Sequence, residues 1–188
     1  DGRSREVVEQ LSREMDSAAQ SLDFERAAII RDQLAAIQAV QQKQYAETGQ
    51  GNLDVVAIDS RHGLAVLEVL MIRGGRILGH RTFRPDTRGE EDQNDILEAF
   101  LAQYYLGDRE DPVQPQEILL GLEPASAEAL QQALSQHWGK KVRLAWRVRG
   151  ERAAWIAMAQ TNAQQSLAAE LAAREGDVAA AVPPVAAY

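Results

Sequence analysis

Three acidic positions could carry metal-dependent chemistry if the fold brought them together. Asp59 lies at the end of the first predicted strand, Asp95 or Glu98 on the first helix after the strands, and Glu123 just past a later strand, with His62 close to Asp59 along the chain. Clustered carboxylates can hold two divalent cations about 3.5–4 Å apart, and the cations then activate a water for phosphodiester hydrolysis. One hypothesis is therefore a metal-dependent nuclease whose ligands are Asp59, Glu98 and Glu123.

Each of these acids also has an ordinary structural explanation. Asp59 precedes a turn, where aspartate is common, and Glu98 falls where an amphipathic helix needs a polar side chain. Glu123 is followed at once by Pro124, which begins a loop, and the strand before it ends in Gly121 rather than in an acid. We therefore expect no catalytic residue, no bound metal and no cofactor in this chain.

The elements that would position these acids follow from the hydrophobic pattern. Apolar runs and alternating stretches predict strands, and apolar positions three or four apart predict helices. In chain order they give strands near 55–58, 64–72 and 76–83, a helix over 96–104, a strand at 118–120, a helix over 127–138, a strand over 142–148 and a helix over 151–174. This order is typical of the ribonuclease H fold, an α/β or α+β arrangement with a five-stranded mixed sheet and flanking helices.

The N-terminal part has a different texture. Val8, Leu11, Met15, Ala18 and Leu22 recur on one helical face, and after a break at 21–23 the stripe resumes at Ala27, Ile30, Leu34 and Ile37. Asp23 can cap the second helix. The pattern predicts a helical hairpin over 1–46, a linker over 47–53, a sheet domain over 54–175 and a tail over 176–188 of uncertain structure.

Composition limits the functional classes. The chain has 188 residues, no cysteine, 20 basic and 28 acidic side chains and a net charge of −8. Without cysteine, disulfide frameworks, thiolate zinc sites and cysteine nucleophiles are excluded. No apolar run approaches the ~20 residues of a membrane span, so we expect a cytoplasmic protein with no membrane partner. The negative charge repels polyanions at long range, so nucleic-acid binding would need a local basic patch.

The break between the two helices resembles a known motif. The run 22–28 (Leu-Asp-Phe-Glu-Arg-Ala-Ala), continued by 30–34 (Ile-Arg-Asp-Gln-Leu), is similar to the UVR motif of the UvrB and UvrC repair proteins and of some chaperone adaptors. From the residues alone, Phe24 could close the hairpin's own core or project as a docking residue. The resemblance implies docking onto UvrB, and it implies a contact surface made of Leu22, Phe24, Ala27, Ala28 and Arg31.

A second resemblance covers most of the remaining chain. Its segments are 54–57, 69–79, 83–85, 100–105, 117–120, 149–152 and 159–163, which resemble the central region of the UvrC family. This implies a middle segment of an excinuclease subunit in nucleotide excision repair of damaged DNA, part of the SOS response, with DNA as partner of the whole protein. The GIY-YIG sequence pattern of the family's first nuclease domain does not occur in the chain. The resemblance therefore implies a ribonuclease H-like scaffold between nuclease domains rather than a nuclease, and an adaptor of a chaperone is a further alternative.

Two sets of basic residues could meet DNA phosphates. The first set is Lys140, Lys141, Arg143, Arg147, Arg149 and Arg152, and the second is Arg73, Arg76, Arg81 and Arg84. On the predicted strand over 142–148, Arg143, Arg147 and Arg149 would share one face, opposite Trp146. Edge strands also carry cations simply to prevent aggregation, and this second interpretation stays open.

Overall fold

A computed structural model describes residues 2–48, 51–107 and 113–181. The chain divides into two compact units, one formed by the two N-terminal helices and the other beginning at Gly51. The elements in order are α1 Gly2–Gln20, α2 Phe24–Thr48, β1 Leu53–Arg61, β2 Leu64–Arg73, β3 Arg76–Phe83, α3 Gln93–Leu106, β4 Glu117–Leu120, α4 Ala127–Trp138, β5 Arg143–Ala145 and α5 Glu151–Ala181. None of the helices in these ranges combines the length with the apolar composition that a membrane span requires.

The first unit is the predicted helical hairpin. Ala18, Ile30 and Leu34 are buried where α1 and α2 pack together, which confirms the stripe at those positions. Leu22 is an exception, because α1 ends before it and its side chain is 72% exposed. Asp23 caps α2 as predicted, since its carboxylate accepts a hydrogen bond from the backbone N–H of Arg26 at 3.2 Å.

The second unit is a five-stranded mixed sheet in the order β3-β2-β1-β4-β5. Strands β1, β2 and β3 form an antiparallel meander, and β4 and β5 are parallel to β1. Gly74 and Gly75 form the β2–β3 turn with φ values of +58° and +74°, a conformation that favours glycine at both positions. The predicted mixed sheet with flanking helices is confirmed.

Strict alternation along the strands builds a core on each face of the sheet. On one face, side chains of β1 and β2 pack with Leu97 and Leu101 of α3 and with Leu134 of α4. On the other face they pack with α5, including Ala159, Ala163 and Leu167. The sheet is therefore covered by helices on both sides, which explains the nearly continuous apolar runs of β1 and β2.

Several element boundaries differ from the sequence prediction. The predicted strand over 142–148 ends at Ala145, because β4 has only four residues and pairs with β5 no further than Leu119. Helix α5 continues to Ala181 instead of ending near Arg174, so residues 176–181 of the predicted tail are helical. Helix α2 reaches Thr48. Residues 49 and 50 of the predicted linker and 182–188 of the tail lie outside the described residues.

Candidate functional site

The turn between α1 and α2 presents two large apolar side chains to solvent. Leu22 is 72% exposed and Phe24, the first residue of α2, is 66% exposed. The interpretation that Phe24 closes the hairpin's own core is therefore wrong. The side chain has no described neighbours that bury it, so it projects from the capped start of the helix.

Leu22 has an uncommon backbone conformation as well as an exposed side chain. Its φ is +60°, in the left-handed region that costs a non-glycine residue about 1–2 kcal/mol. The N–H of Leu22 donates to the carbonyl of Ala19 at 3.1 Å, and the N–H of Asp23 donates to that of Ala18 at 2.9 Å. These two bonds form a Schellman motif, which usually has glycine at the left-handed position. The left-handed backbone of Leu22 disfavours leucine at this position, and its side chain is not buried within the hairpin.

The other predicted contact residues flank this turn on α2. Ala27 and Ala28 are half-buried and Arg31 is exposed. Arg31 forms an ion pair with Asp32 at 3.3 Å, in which both side chains are largely exposed. Such a pair contributes about 0–1 kcal/mol. The turn and the small residues beside it thus form an apolar surface, and the ion pair adds little to its stability.

In the sheet domain, the three acids considered as metal ligands have protein partners instead. Asp59 forms an ion pair with Arg61 at 3.0 Å and accepts a hydrogen bond from the N–H of Ser60. Glu123 forms an ion pair with Arg147 at 3.0 Å. Glu98 accepts a hydrogen bond from the backbone N–H of Ser126 at 2.5 Å.

Helix α3 braces the loop that precedes α4. Asn94 donates from Nδ2 to the carbonyl of Glu123 at 2.7 Å, and its Oδ1 accepts from the N–H of Ala125 at 2.9 Å. Ser126, at the N-cap of α4, makes no side-chain capping bond, and the carboxylate of Glu98 accepts from the backbone N–H of this residue instead. Within the described parts of the chain, no group of three histidine or acidic residues is arranged to hold a metal ion.

Asp95, the alternative acid on α3, faces other negative charges. Desolvation, followed by the charges of Asp92, Glu90 and Glu98, raises the pKa of Asp95 above its ordinary value. Asp92 is the N-cap of α3 and accepts a hydrogen bond from the N–H of Asn94 at 2.7 Å. Asp92 and Asp95 therefore lie at the N-terminus of α3, which Asp92 caps.

The sequence analysis missed a fully buried carboxylate, Asp54, at the start of β1. It is 0% exposed, and it accepts a hydrogen bond from Tyr105 Oη at 2.7 Å and from Arg73 Nη1 at 2.8 Å. Arg73 also donates to the carbonyls of Leu53 and Ile72. The signal available was an aspartate within an otherwise apolar strand, since a buried acid must find partners. This network joins β1, β2 and α3.

A second buried acid, Glu68, lies in the middle of β2 and is 1% exposed. Its Oε2 accepts a hydrogen bond from Thr82 Oγ1 at 2.7 Å, and His80 Nδ1 lies 2.5 Å from Oε1. Both partners are on the neighbouring strand β3. The acid therefore joins the edge strand to the sheet.

The structure separates the first basic set into paired and unpaired cations. Glu117 forms ion pairs with Arg143 and Arg152, and Glu123 pairs with Arg147. The expectation that Arg143, Arg147 and Arg149 share a strand face is wrong, because β5 ends before Arg147. Trp146 packs against the core on the α3 side of the sheet. The set is therefore not one continuous face.

Lys140 and Lys141 lie outside these pairs. Both are exposed and precede β5. Lys140 Nζ donates to the carbonyl of Gln114 at 3.1 Å. Desolvation, and then the nearby charge of Arg73, lower the pKa of Lys140.

In the second basic set, Arg84 forms an ion pair with Glu170 at 3.2 Å. The charge of Arg84 is therefore partly neutralised as well.

Comparison with known proteins agrees with both units of the fold. Residues 52–170 match the family described as the UvrC ribonuclease H-like domain, and residues 5–40 match the UvrB/uvrC motif. UvrABC system protein C of Alcanivorax borkumensis is 78% identical over 93% of this chain and 29% of its own length. The protein of the same name from Chromohalobacter salexigens is 42% identical over 93% of this chain and 28% of its own length.

The same match extends to Pseudomonas syringae, whose UvrABC system protein C is 42% identical over 93% of this chain and 29% of its own length. The chain thus spans less than a third of the relatives it matches. The chain belongs to the UvrC family of UvrABC repair proteins, of which it carries the UVR hairpin and the ribonuclease H-like domain.

Proposed function

We propose that the hairpin docks this subunit onto UvrB through the apolar surface of Leu22 and Phe24. The exposure of Phe24 is the observation that carries the proposal. A hairpin of two helices buries little apolar surface of its own. Packing two large apolar side chains against a partner increases the apolar surface that the hairpin buries. Ala27 and Ala28 beside them are small enough for a second helix pair to approach closely.

The energetics favour a partner over a purely internal role. Burying an aromatic side chain at an interface centre contributes enough that its removal costs about 2–4 kcal/mol. The left-handed conformation of Leu22 lowers the conformational stability of the free hairpin. Backbone strain of this kind persists where function requires the residue. The UvrB/uvrC motif that the hairpin matches spans this turn.

The sheet domain, in this proposal, is a non-catalytic scaffold within the incision subunit of a DNA excinuclease, working in the cytoplasm and needing no cofactor of its own. Support comes from the partners of the acids: Glu98 caps α4, Asp59 pairs with Arg61, and Glu123 pairs with Arg147. A nuclease built on these three would have to break all of those contacts. Damaged DNA is the substrate of the whole protein.

Gel filtration of the chain mixed with purified UvrB tests the docking. We expect the two to elute together ahead of either component, with the complex lost for Phe24→Ala. If the chain and UvrB elute separately at concentrations well above micromolar, the proposal is overturned. The chaperone-adaptor alternative would then be favoured. The elution volume of each protein alone is the control for self-association.

A further inference from the structure

One end of the sheet is tied into a continuous rim by hydrogen bonds between loops. The rim comprises residues 51–53, 73–76, 113–117 and 139–143, and we call it the turn rim. The N–H of Gly75 donates to the carbonyl of Gly51, that of Gln116 to Asn52, and that of Arg143 to Gln116. Asn52 Oδ1 also accepts from the N–H of Gly74 at 3.1 Å. The β2–β3 turn and the segment before β5 are therefore held in fixed relation across the whole sheet.

Exposed cations occupy both ends of the turn rim. Arg76 lies at the β3 end, and Lys140 and Lys141 lie at the β5 end, all three with exposed side chains. Within the described parts of the chain, none of the three forms an ion pair with a carboxylate. The neighbouring Arg143, in contrast, forms an ion pair with Glu117 at 3.6 Å.

The centre of the rim brings two more positive groups together. Arg73 Nη2 donates a hydrogen bond to the carbonyl of Val113, and Lys140 Nζ donates one to the carbonyl of Gln114. Two cations therefore bind the carbonyl groups of consecutive residues. Arg73 is compensated by the buried Asp54, whereas Lys140 donates to a neutral carbonyl. Desolvation, and then the charge of Arg73, lower the pKa of Lys140, because both disfavour the charged form of the amine.

We propose that the turn rim binds the phosphodiester backbone of a nucleic acid, with Arg76, Lys140 and Lys141 as its phosphate contacts. Five strands with four spacings of about 4.8 Å put the two ends of the rim about 19 Å apart. One strand of a duplex carries a phosphate for each ~3.4 Å of its axis, so the rim spans several phosphates. The contact carries no base readout and is therefore independent of sequence.

The chemistry of the rim favours phosphates over an acidic peptide. An extended peptide binds a sheet through free backbone N–H and C=O groups, but the N–H groups of Gly74, Gly75, Gln116 and Arg143 are all occupied within the rim. The groups of the rim that are accessible to a ligand are cationic side chains at fixed positions. A backbone of regularly spaced anions matches this better than a peptide that needs main-chain pairing.

Fluorescence anisotropy with labelled oligothymidylate and with a labelled duplex tests the site on the intact chain. The variant Arg76→Ala/Lys141→Ala removes two proposed contacts. The control Arg26→Ala/Arg88→Ala removes the same charge at exposed arginines outside the rim and outside both basic sets. We expect the rim variant to bind about tenfold or more weakly, with the slope of log affinity against log salt smaller by about 1.8 on the duplex. The control should bind within about twofold of the parent chain.

Equal weakening by the control variant would overturn the proposal, because it would show a response to net charge alone. Competition by polyglutamate as strong as that by unlabelled oligonucleotide would assign the rim to acidic peptides and would also overturn it. The comparison of single-stranded and duplex probes decides which form of nucleic acid is bound. The site is independent of UvrB docking: Phe24→Ala should leave these affinities unchanged, so the two proposals fail separately.

Discussion

Glu98 Oε1 lies 2.5 Å from the backbone nitrogen of Ser126, so a carboxylate on α3 caps the N-terminus of α4. The N-terminus of a helix attracts negative charge because its first N–H groups have no partners within the helix. Ser126 is at the N-cap position but its own hydroxyl makes no capping bond. The acid that could have held a metal therefore stabilises the contact between two helices.

This role predicts the behaviour of Glu98 variants. Glu98→Ala should lower the free energy of unfolding of the sheet domain by about 1–2 kcal/mol, since it leaves the Ser126 N–H without its acceptor. Glu98→Gln retains an oxygen acceptor and should lose less than half of that. Urea unfolding followed by tryptophan fluorescence measures both. An equal loss in the two variants would show that the charge, and not the hydrogen bond, is what matters.

The chain should not cut DNA in magnesium or manganese. The carboxylate of Asp59 is engaged by Arg61, and replacing it with asparagine removes an ion pair that is partly exposed and worth about 1 kcal/mol or less. We expect no nicking of supercoiled plasmid by either the parent chain or Asp59→Asn. Incision that requires divalent metal and disappears in Asp59→Asn would establish the nuclease hypothesis in place of the scaffold.

Docking on UvrB should depend on the turn between the hairpin helices. Phe24→Ala should weaken binding by about 2–4 kcal/mol while leaving the helical signal unchanged, because Phe24 buries little surface within the free hairpin. Leu22→Gly relieves the left-handed conformation, so it should change hairpin stability by less than about 1 kcal/mol and still weaken binding. Isothermal titration of UvrB measures the affinity.

The matched control for these variants is Ile29→Ala. Ile29 is also an exposed apolar residue of α2, at 59%, but at 100° per residue it points roughly 140° away from Phe24 around the helix. It should leave UvrB affinity unchanged. If Ile29→Ala weakens binding as much as Phe24→Ala, the interface is a different face of the helix.

Much of this arrangement could be predicted from the sequence. Hydrophobic spacing predicted the hairpin and the individual strands and helices, because burial patterns are local in sequence. The order of these predicted elements then indicated the mixed sheet. The length of β5 could not be predicted, since it depends on how far the four-residue β4 can pair with it. The capping role of Glu98 and the partners of Glu117 likewise depend on residues far apart in the chain. Only the fold reveals that three of the six cations of the first basic set, Arg143, Arg147 and Arg152, form ion pairs.

The buried network around Asp54 should be the most sensitive polar site of the sheet domain. Arg73→Ala leaves a carboxylate that is 0% exposed without its ionic partner, and breaking a buried pair from one side costs about 3–5 kcal/mol. Tyr105→Phe removes one hydrogen bond to the same carboxylate and should cost about 1–3 kcal/mol. Urea unfolding gives both values. The exposed Arg81→Ala is the comparison, and a loss of similar size there would contradict the argument.

Lys140 should make the stability of the domain depend on alkaline pH. Its pKa is lowered in the folded chain from the ordinary 10.5, so the unfolded chain binds the proton more tightly than the folded one. The charged form therefore destabilises the fold at all pH values below the folded pKa, and this cost diminishes as the pH rises through the folded pKa toward 10.5.

Lys140→Gln should be more stable than the parent chain at neutral pH, and the difference in stability should shrink as the pH approaches 10.5. Urea midpoints of the two chains measured as a function of pH give this difference directly, and the contribution of other titrating groups cancels. Adding oligonucleotide should reverse the order at neutral pH, because phosphate near Lys140 stabilises its charged form. A difference that stays constant from neutral to alkaline pH would show that Lys140 acts through packing rather than through its charge.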